Sequence, residues 1–105
     1  MQMGEMFFRP KQATAASGRL RITERNVGQV THEFILVRSS ADPSSFPAPG
    51  GSVDEAKLKV MGEIADVTPG QTKSKTFHLK PGKYAFICNV PGHYSAGRYG
   101  GLSVK

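Results

Sequence analysis

Residues 84–101 decide the reading of this chain: Tyr84-Ala85-Phe86-Ile87-Cys88-Asn89-Val90-Pro91-Gly92-His93-Tyr94-Ser95-Ala96-Gly97-Arg98-Tyr99-Gly100-Gly101. Tyr84, Phe86 and Cys88 recur at every second position, as residues on one face of a β-strand do. The strand runs into a loop, and His93 follows the cysteine five positions later. Such a loop can bring a thiol and an imidazole to one point. Cys88 is the one cysteine in the chain, so no intramolecular disulfide can form. It is then buried filler, a reactive thiol or a metal ligand.

A second imidazole comes from far upstream, in Asn26-Val27-Gly28-Gln29-Val30-Thr31-His32-Glu33-Phe34. His32, Phe34 and Leu36 alternate, so His32 shares a face with core residues at the end of its strand. Cys88 does the same on its own strand, and both can face inward at one end of the fold. Two imidazoles and a thiolate are the donor set of blue-copper electron-transfer sites. The soft thiolate stabilises Cu(I), while imidazole suits both oxidation states.

Around these segments the chain is punctuated like an all-β domain. Twelve glycines and seven prolines fall between short runs rich in Val, Ile, Phe and Thr. Strands are expected over Glu5–Arg9, Gly18–Asn26, Glu33–Arg38, Lys59–Ile64, Lys73–Leu79, Lys83–Cys88 and Gly101–Lys105. Seven or so short strands imply a β-sandwich. The proline-rich segment from Ala41 to Ser52 reads as a loop, followed by a helical turn over about Val53–Leu58 from the capping pattern Ser52-Val53-Asp54-Glu55. At 105 residues with 38% hydrophobic and 21% charged residues, one core and one domain over residues 1–105 are expected.

No stretch reaches the ~18 to 20 apolar residues of a membrane span. The first ten residues lack the marks of a secretory signal, implying that none existed or that it was removed. A formal charge of +6 suits an acidic protein partner, a membrane surface or nucleic acid. Lys and Arg are scattered, however, and no nucleic-acid motif accompanies them. Nor do a Ser-His-Asp order, paired catalytic carboxylates or a phosphate-cradling loop appear, so the chain is not expected to be an enzyme.

These residues resemble the cupredoxins, the family of plastocyanin, azurin and rusticyanin. Phe8-x-Pro10 is similar to the family's first strand, Asn26-x-Gly28-x-x-x-His32 to the segment bearing the first ligand, and Leu79-x-Pro81-Gly82-x-Tyr84-x-Phe86-x-Cys88 to the approach to the second. The resemblance implies a Greek-key β-sandwich of about seven to eight strands. It further implies one copper ion held by His32, Cys88 and His93, with Tyr84 as the tyrosine corner.

One position departs from the pattern. Related sequences carry an axial methionine at the place where Arg98 stands, and a protonated guanidinium offers no lone pair to a metal. The expectation is a three-ligand site, with water or the Thr31 carbonyl as a further weak donor. A guanidinium ~6 Å from the copper would disfavour Cu(II) by roughly 3 kcal/mol at an effective dielectric near 20. That is roughly 0.1 V of raised potential. If the side chain instead reaches solvent, an open position that admits water favours Cu(II).

Met61 and Glu63 are weaker axial candidates, Met3 and Met6 weaker still, and His78 is expected to face solvent. Glu33 either accepts hydrogen bonds that tie the ligand segments together or faces water, and Asn89 either orients the loop or simply turns it. Pro91, Tyr94, Ala96 and the segment from Phe46 to Pro49 are candidates for an apolar collar around His93. The leading expectation is a monomeric one-electron carrier that meets a redox partner briefly near His93. The alternatives are a copper-delivery module and a copper-free interaction domain. The family resemblance implies a periplasmic or otherwise extracytoplasmic location.

Overall fold

A computed structural model describes every residue except 47, 49–52, 54, 56, 57, 91 and 95. Among the described residues the chain forms nine strands: β1 (Gln2–Gly4), β2 (Phe7–Arg9), β3 (Gln12–Ala15), β4 (Gly18–Asn26), β5 (His32–Arg38), β6 (Lys59–Val67), β7 (Thr72–Leu79), β8 (Gly82–Ile87) and β9 (Tyr99–Val104). One sheet has the order β2-β1-β4-β7 and the other β3-β9-β8-β5-β6. The chain changes sheet between β2 and β3, β3 and β4, β4 and β5, β6 and β7, and β7 and β8, which is the Greek-key way of closing two sheets on one core.

Two strands go beyond the seven expected from the sequence. Glu5–Arg9 is not one strand but the end of a hairpin, with Glu5 and Met6 in the turn and Met3 paired with Phe8. Both Met3 and Phe8 are buried. Being five residues apart, they would fall on opposite faces of a single strand, so the hairpin is what brings both inside. β3 pairs with β9 in parallel, Gln12 to Gly101 through Ala15 to Val104.

Between the sheets, Phe8 meets Phe86 edge-on at 5.1 Å and Phe34 stacks on Phe86 at 5.3 Å. Burial of each such ring contributes about 1.5–3 kcal/mol. A second apolar cluster, Ile35, Val37, Phe46, Val53, Ala85, Ile87 and Tyr94, covers the far side of β5 and β8. Those two strands are therefore buried on both faces. The segment read as a plain loop supplies part of that cover: Phe46 stacks near Tyr94, and the Tyr94 hydroxyl accepts the Phe46 N–H at 2.9 Å. Residues 43–45 form a short 3-10 turn, while the helical turn expected near Val53–Leu58 falls largely outside the described residues.

Tyr84 donates its hydroxyl to the Lys80 carbonyl at 2.8 Å, locking the corner between β7 and β8. No helix among the described residues is long and apolar enough to cross a membrane.

Candidate metal centre

His32 opens β5, and a bulge sets its aim. It pairs with Val67 while Phe34 pairs with Ile64, so Ala65 and Asp66 together oppose Glu33. Asp66 adopts the left-handed region at φ 52°. Lys73 Nζ caps the distortion by donating to the Ala65 carbonyl at 2.9 Å and the Asp66 carbonyl at 3.2 Å. Bulges of this kind re-aim side chains beside functional sites.

The approach to His32 is held by Asn26, which is completely buried. Its Nδ2 donates to the carbonyls of Val30 at 2.8 Å and Val67 at 2.7 Å, and its Oδ1 accepts the Gly28 N–H at 2.8 Å. That gives the Asn26-x-Gly28 spacing a physical meaning: the side chain mimics a backbone turn.

At the other end of the site, three backbone bonds close the loop from Cys88 to Arg98. The Cys88 N–H donates to the Arg98 carbonyl at 3.0 Å, the His93 N–H to the Val90 carbonyl at 2.9 Å, and the Arg98 N–H to the His93 carbonyl at 3.1 Å. His93 is thereby folded back onto the cysteine.

Nδ1 of His32 and Nδ1 of His93 lie 3.2 Å apart, and Cys88 Sγ is 3.5 Å from His93 Nδ1. The three donor atoms all fall within 4.8 Å of one another, and all three residues are buried. The Glu33 N–H points at the sulfur, 3.4 Å away.

Burial, reinforced by the charges of Arg98 and His93, pushes His32 down to about 4. Burial and Arg98 lower His93 as well. Both imidazoles therefore keep a lone pair at neutral pH. Burial raises the Cys88 thiol against the pull of Arg98, so a cation that binds there must displace a proton. One soft sulfur and two imidazole nitrogens converging on a point fit copper.

Arg98 does not reach solvent; it is completely buried. Its Nε donates to the Phe7 carbonyl at 3.2 Å, and the guanidinium carbon sits 4.0 Å from the Phe8 ring centroid. A desolvated cation over an aromatic face gains about 2 kcal/mol. Nη1 and Nη2 have no hydrogen-bond partner among the described residues.

Half-buried Glu33 accepts the Asn89 N–H at 3.0 Å, joining the His32 and Cys88 segments. The Asn89 side chain accepts the Val53 N–H at 2.6 Å and donates to the Val53 carbonyl and the Glu55 carboxylate, each at 2.8 Å. Thr31 is exposed just ahead of β5, as is His78 on β7. Met61 packs against the core and Glu63 is exposed, so neither joins the donor cluster. Met3 lies in the core, while Met6 is exposed. Of the residues considered for an apolar collar, Phe46 and Tyr94 belong to the interior instead, because they anchor the cover over β5 and β8. Ala96 is exposed, and positions 47, 49 and 91 lie outside the described residues.

Two carboxylates were not singled out in the sequence. Glu5 accepts the Gln29 N–H at 2.6 Å and the Val30 N–H at 2.7 Å, and its other oxygen lies 3.7 Å from His32 Nε2. Partial burial works against its charge, but those amides outweigh it and hold the carboxyl below its ordinary value. Glu24 is completely buried and neither of its oxygens has a hydrogen-bond partner among the described residues. Strand alternation with Leu20 and Ile22 already put Glu24 on the inward face; nothing comparable marked Glu5.

Comparison with known proteins agrees with this geometry. The family model of copper-binding proteins of the plastocyanin/azurin family matches residues 1–105. The copper-resistant cuproprotein CopI of Pseudomonas aeruginosa is 26% identical across 98% of this chain and 73% of its own. Auracyanin-B of Chloroflexus aurantiacus is 30% identical across 79% of this chain, and this alignment takes in 39% of auracyanin-B. Auracyanin A, a "blue" copper protein of the same bacterium, has a similar structure with a TM-score of 0.70 at 26% identity, covering 100% of this chain and 97% of that one. Since the family match runs the whole length and a thiol and two imidazoles meet at one end of the five-stranded sheet, the chain belongs to the plastocyanin/azurin family of copper-binding proteins, the cupredoxins.

Proposed function

We propose that this protein is a one-electron carrier, with a single copper held by His32 Nδ1, Cys88 Sγ and His93 Nδ1. The copper supplies a Cu(I)/Cu(II) couple. The observation that carries the reading is the convergence of the three donor atoms within 4.8 Å of one another. Ligands held by two strands and a hydrogen-bonded loop have little need to rearrange when the charge changes. Small rearrangement is what rapid electron exchange requires.

Arg98 supplies no lone pair, so the centre has three strong donors, with the Thr31 carbonyl or water as a weak fourth. The guanidinium acts through its charge. Glu33 and Asn89 hold the two ligand segments together, and Glu5 orients His32 through its Nε2 side. Electron exchange with a partner protein takes place through a small, transient contact near His93, the one donor residue with measurable exposure, at 8%. The protein works as a monomer of one domain outside the cytoplasm, as the family resemblance implies, and as a carrier and not a catalyst.

A second reading has a specific observation behind it: the similarity to CopI, a copper-resistant cuproprotein, extends over 98% of this chain. On that reading the site stores or delivers copper. Voltammetry and metal-transfer measurements separate the two. A carrier gives a reversible one-electron wave and keeps its copper in the presence of a competing thiolate acceptor, whereas a delivery protein hands Cu(I) to the acceptor within its working time.

A further inference from the structure

Basic residues that are scattered along the sequence are gathered by the fold. On β4, Arg19, Arg21, Thr23 and Arg25 are exposed, while Ile22, Glu24 and Asn26 between them are buried. Register extends this outer face sideways. Arg19 pairs with His78 and Arg21 with Thr76 on β7, while Arg25 pairs with Gln2 on β1, which in turn pairs with Arg9 on β2. Directly paired residues point to the same side of a sheet, so Arg9, Arg19, Arg21 and Arg25 share one surface. Hydroxyls fill much of the space between them, as where the side-chain oxygens of Thr23 and Ser74 lie 2.7 Å apart.

No carboxylate stands on this face to offset the four charges. Glu24 points inward from β4 and is buried. Glu5, in the turn of the first hairpin, is engaged by the Gln29 and Val30 amides. Glu33, Glu63 and Asp66 belong to β5 and β6, in the other sheet. Like charges crowded on one side repel one another, and an anionic surface laid against them relieves that repulsion. At one end the face turns apolar. Phe7 lies on the same side as Arg9, whose guanidinium carbon is 4.9 Å from its ring centroid. Val27 prolongs β4, its N–H donating to the Met3 carbonyl at 2.8 Å, and is 43% exposed.

We infer that the outer face of the four-stranded sheet docks on an anionic lipid surface, with the arginines against phosphate headgroups and Phe7 and Val27 at the edge of the acyl region. Cationic attraction joined to burial of a few apolar side chains is how interfacial proteins hold a bilayer. Charge alone suits an acidic protein or a nucleic acid equally; the apolar end favours lipid. Glu5, in the turn that leads into Phe7, stands 3.7 Å from His32. The apolar end is therefore also the end that holds the donor cluster, and docking brings the metal centre to the lipid surface whichever use the copper has.

The test is co-sedimentation of the full chain with phospholipid vesicles. Vesicles of phosphatidylcholine and phosphatidylglycerol mixed two to one carry the protein down at low salt, and binding falls as added salt screens the charges. Pure phosphatidylcholine retains little of it. Arg21→Gln together with Arg25→Gln lowers the partition coefficient about fivefold for each arginine, so about 25-fold for the pair. Lys59→Gln together with Lys83→Gln removes the same charge from exposed positions on the other sheet, and lowers partition less than about twofold. Val27→Ser, which makes the apolar end polar, lowers it about fourfold. Unchanged unfolding midpoints show that each variant folds. Equal binding to neutral vesicles, no binding to anionic ones, a lysine pair as damaging as the arginine pair, or a Val27→Ser protein that binds like the wild type each overturns the docking face. Tighter binding to polyglutamate or duplex DNA than to the anionic vesicles, lost in the arginine pair, overturns the lipid in favour of that partner. The copper reading stands or falls separately, on its own titration.

Discussion

The Glu5 carboxylate stands 3.7 Å from Nε2 of His32, on the side of the ring away from the donor cluster, while the amides of Gln29 and Val30 hold it in place. A carboxylate in the turn of the first hairpin is therefore held beside an imidazole of the opposite sheet. A Cβ built on Gly28 would collide with this carboxylate, so the glycine is needed for the close approach.

From that arrangement, Glu5→Ala should weaken copper binding about 10- to 100-fold, the usual effect of losing the partner that orients a ligating histidine. Gly28→Ala should do the same by pushing the carboxylate aside. Competition titrations with a chelator of known affinity measure both. Unchanged affinity in the two variants would show that His32 needs no support from Glu5.

Arg98→Leu removes a buried charge without adding a donor. Because the cation disfavours Cu(II), the variant should have a lower reduction potential, by roughly 0.1 V if the guanidinium lies ~6 Å from the copper. Protein-film voltammetry reads the shift directly. A potential that stays put or rises would mean the charge is compensated locally, most directly by Glu24.

Asn26→Ala should destabilise the fold by about 2–4 kcal/mol, since it strands the buried Val67 carbonyl and releases the loop before His32. Chemical denaturation of the copper-free protein tests this. A loss below 1 kcal/mol would mean that water replaces the side chain's bonds.

Stability should also depend on pH through Glu24. Burial raises its carboxyl from an ordinary 4.5 to about 7. Between those values the folded chain keeps a proton that the unfolded chain has released, so stability present below pH 4.5 is lost as pH climbs through 7. The shift corresponds to about 3 kcal/mol at most. His32 runs the opposite way: held down to about 4 from 6.5, it contributes stability that is present above 6.5 and lost as pH falls through 4. The difference between wild type and Glu24→Gln in urea midpoints across pH 4 to 8 isolates the carboxyl. Parallel curves would contradict its burial as a charged group.

Much of this was legible in the residues themselves. β4 runs over Gly18–Asn26 as expected, because Leu20 and Ile22 alternate cleanly with exposed arginines. The meeting of His32 and Cys88 was legible for the same reason: each continues the inward face of an apolar strand. β3 was not, because Gln12-Ala13-Thr14-Ala15 has little intrinsic strand preference and is ordered by pairing with β9. Ile35, Val37, Ala85 and Ile87 alternate with the inward residues of β5 and β8, and they too are buried, under a cover whose long proline-rich sequence reads only as a loop. The Glu5 contact depends on a hairpin turn and a glycine more than twenty positions away, and no local pattern announces such a meeting.

The central claim is that one thiolate and two imidazoles share a single copper. Titration of the copper-free protein with Cu(II), followed by visible absorption and electron spin resonance, tests it most directly alongside Cys88→Ser. The account predicts saturation at one copper per chain, with intense sulfur-to-copper absorption in the wild type and none in the variant. Colour and stoichiometry that survive loss of the sulfur would contradict it.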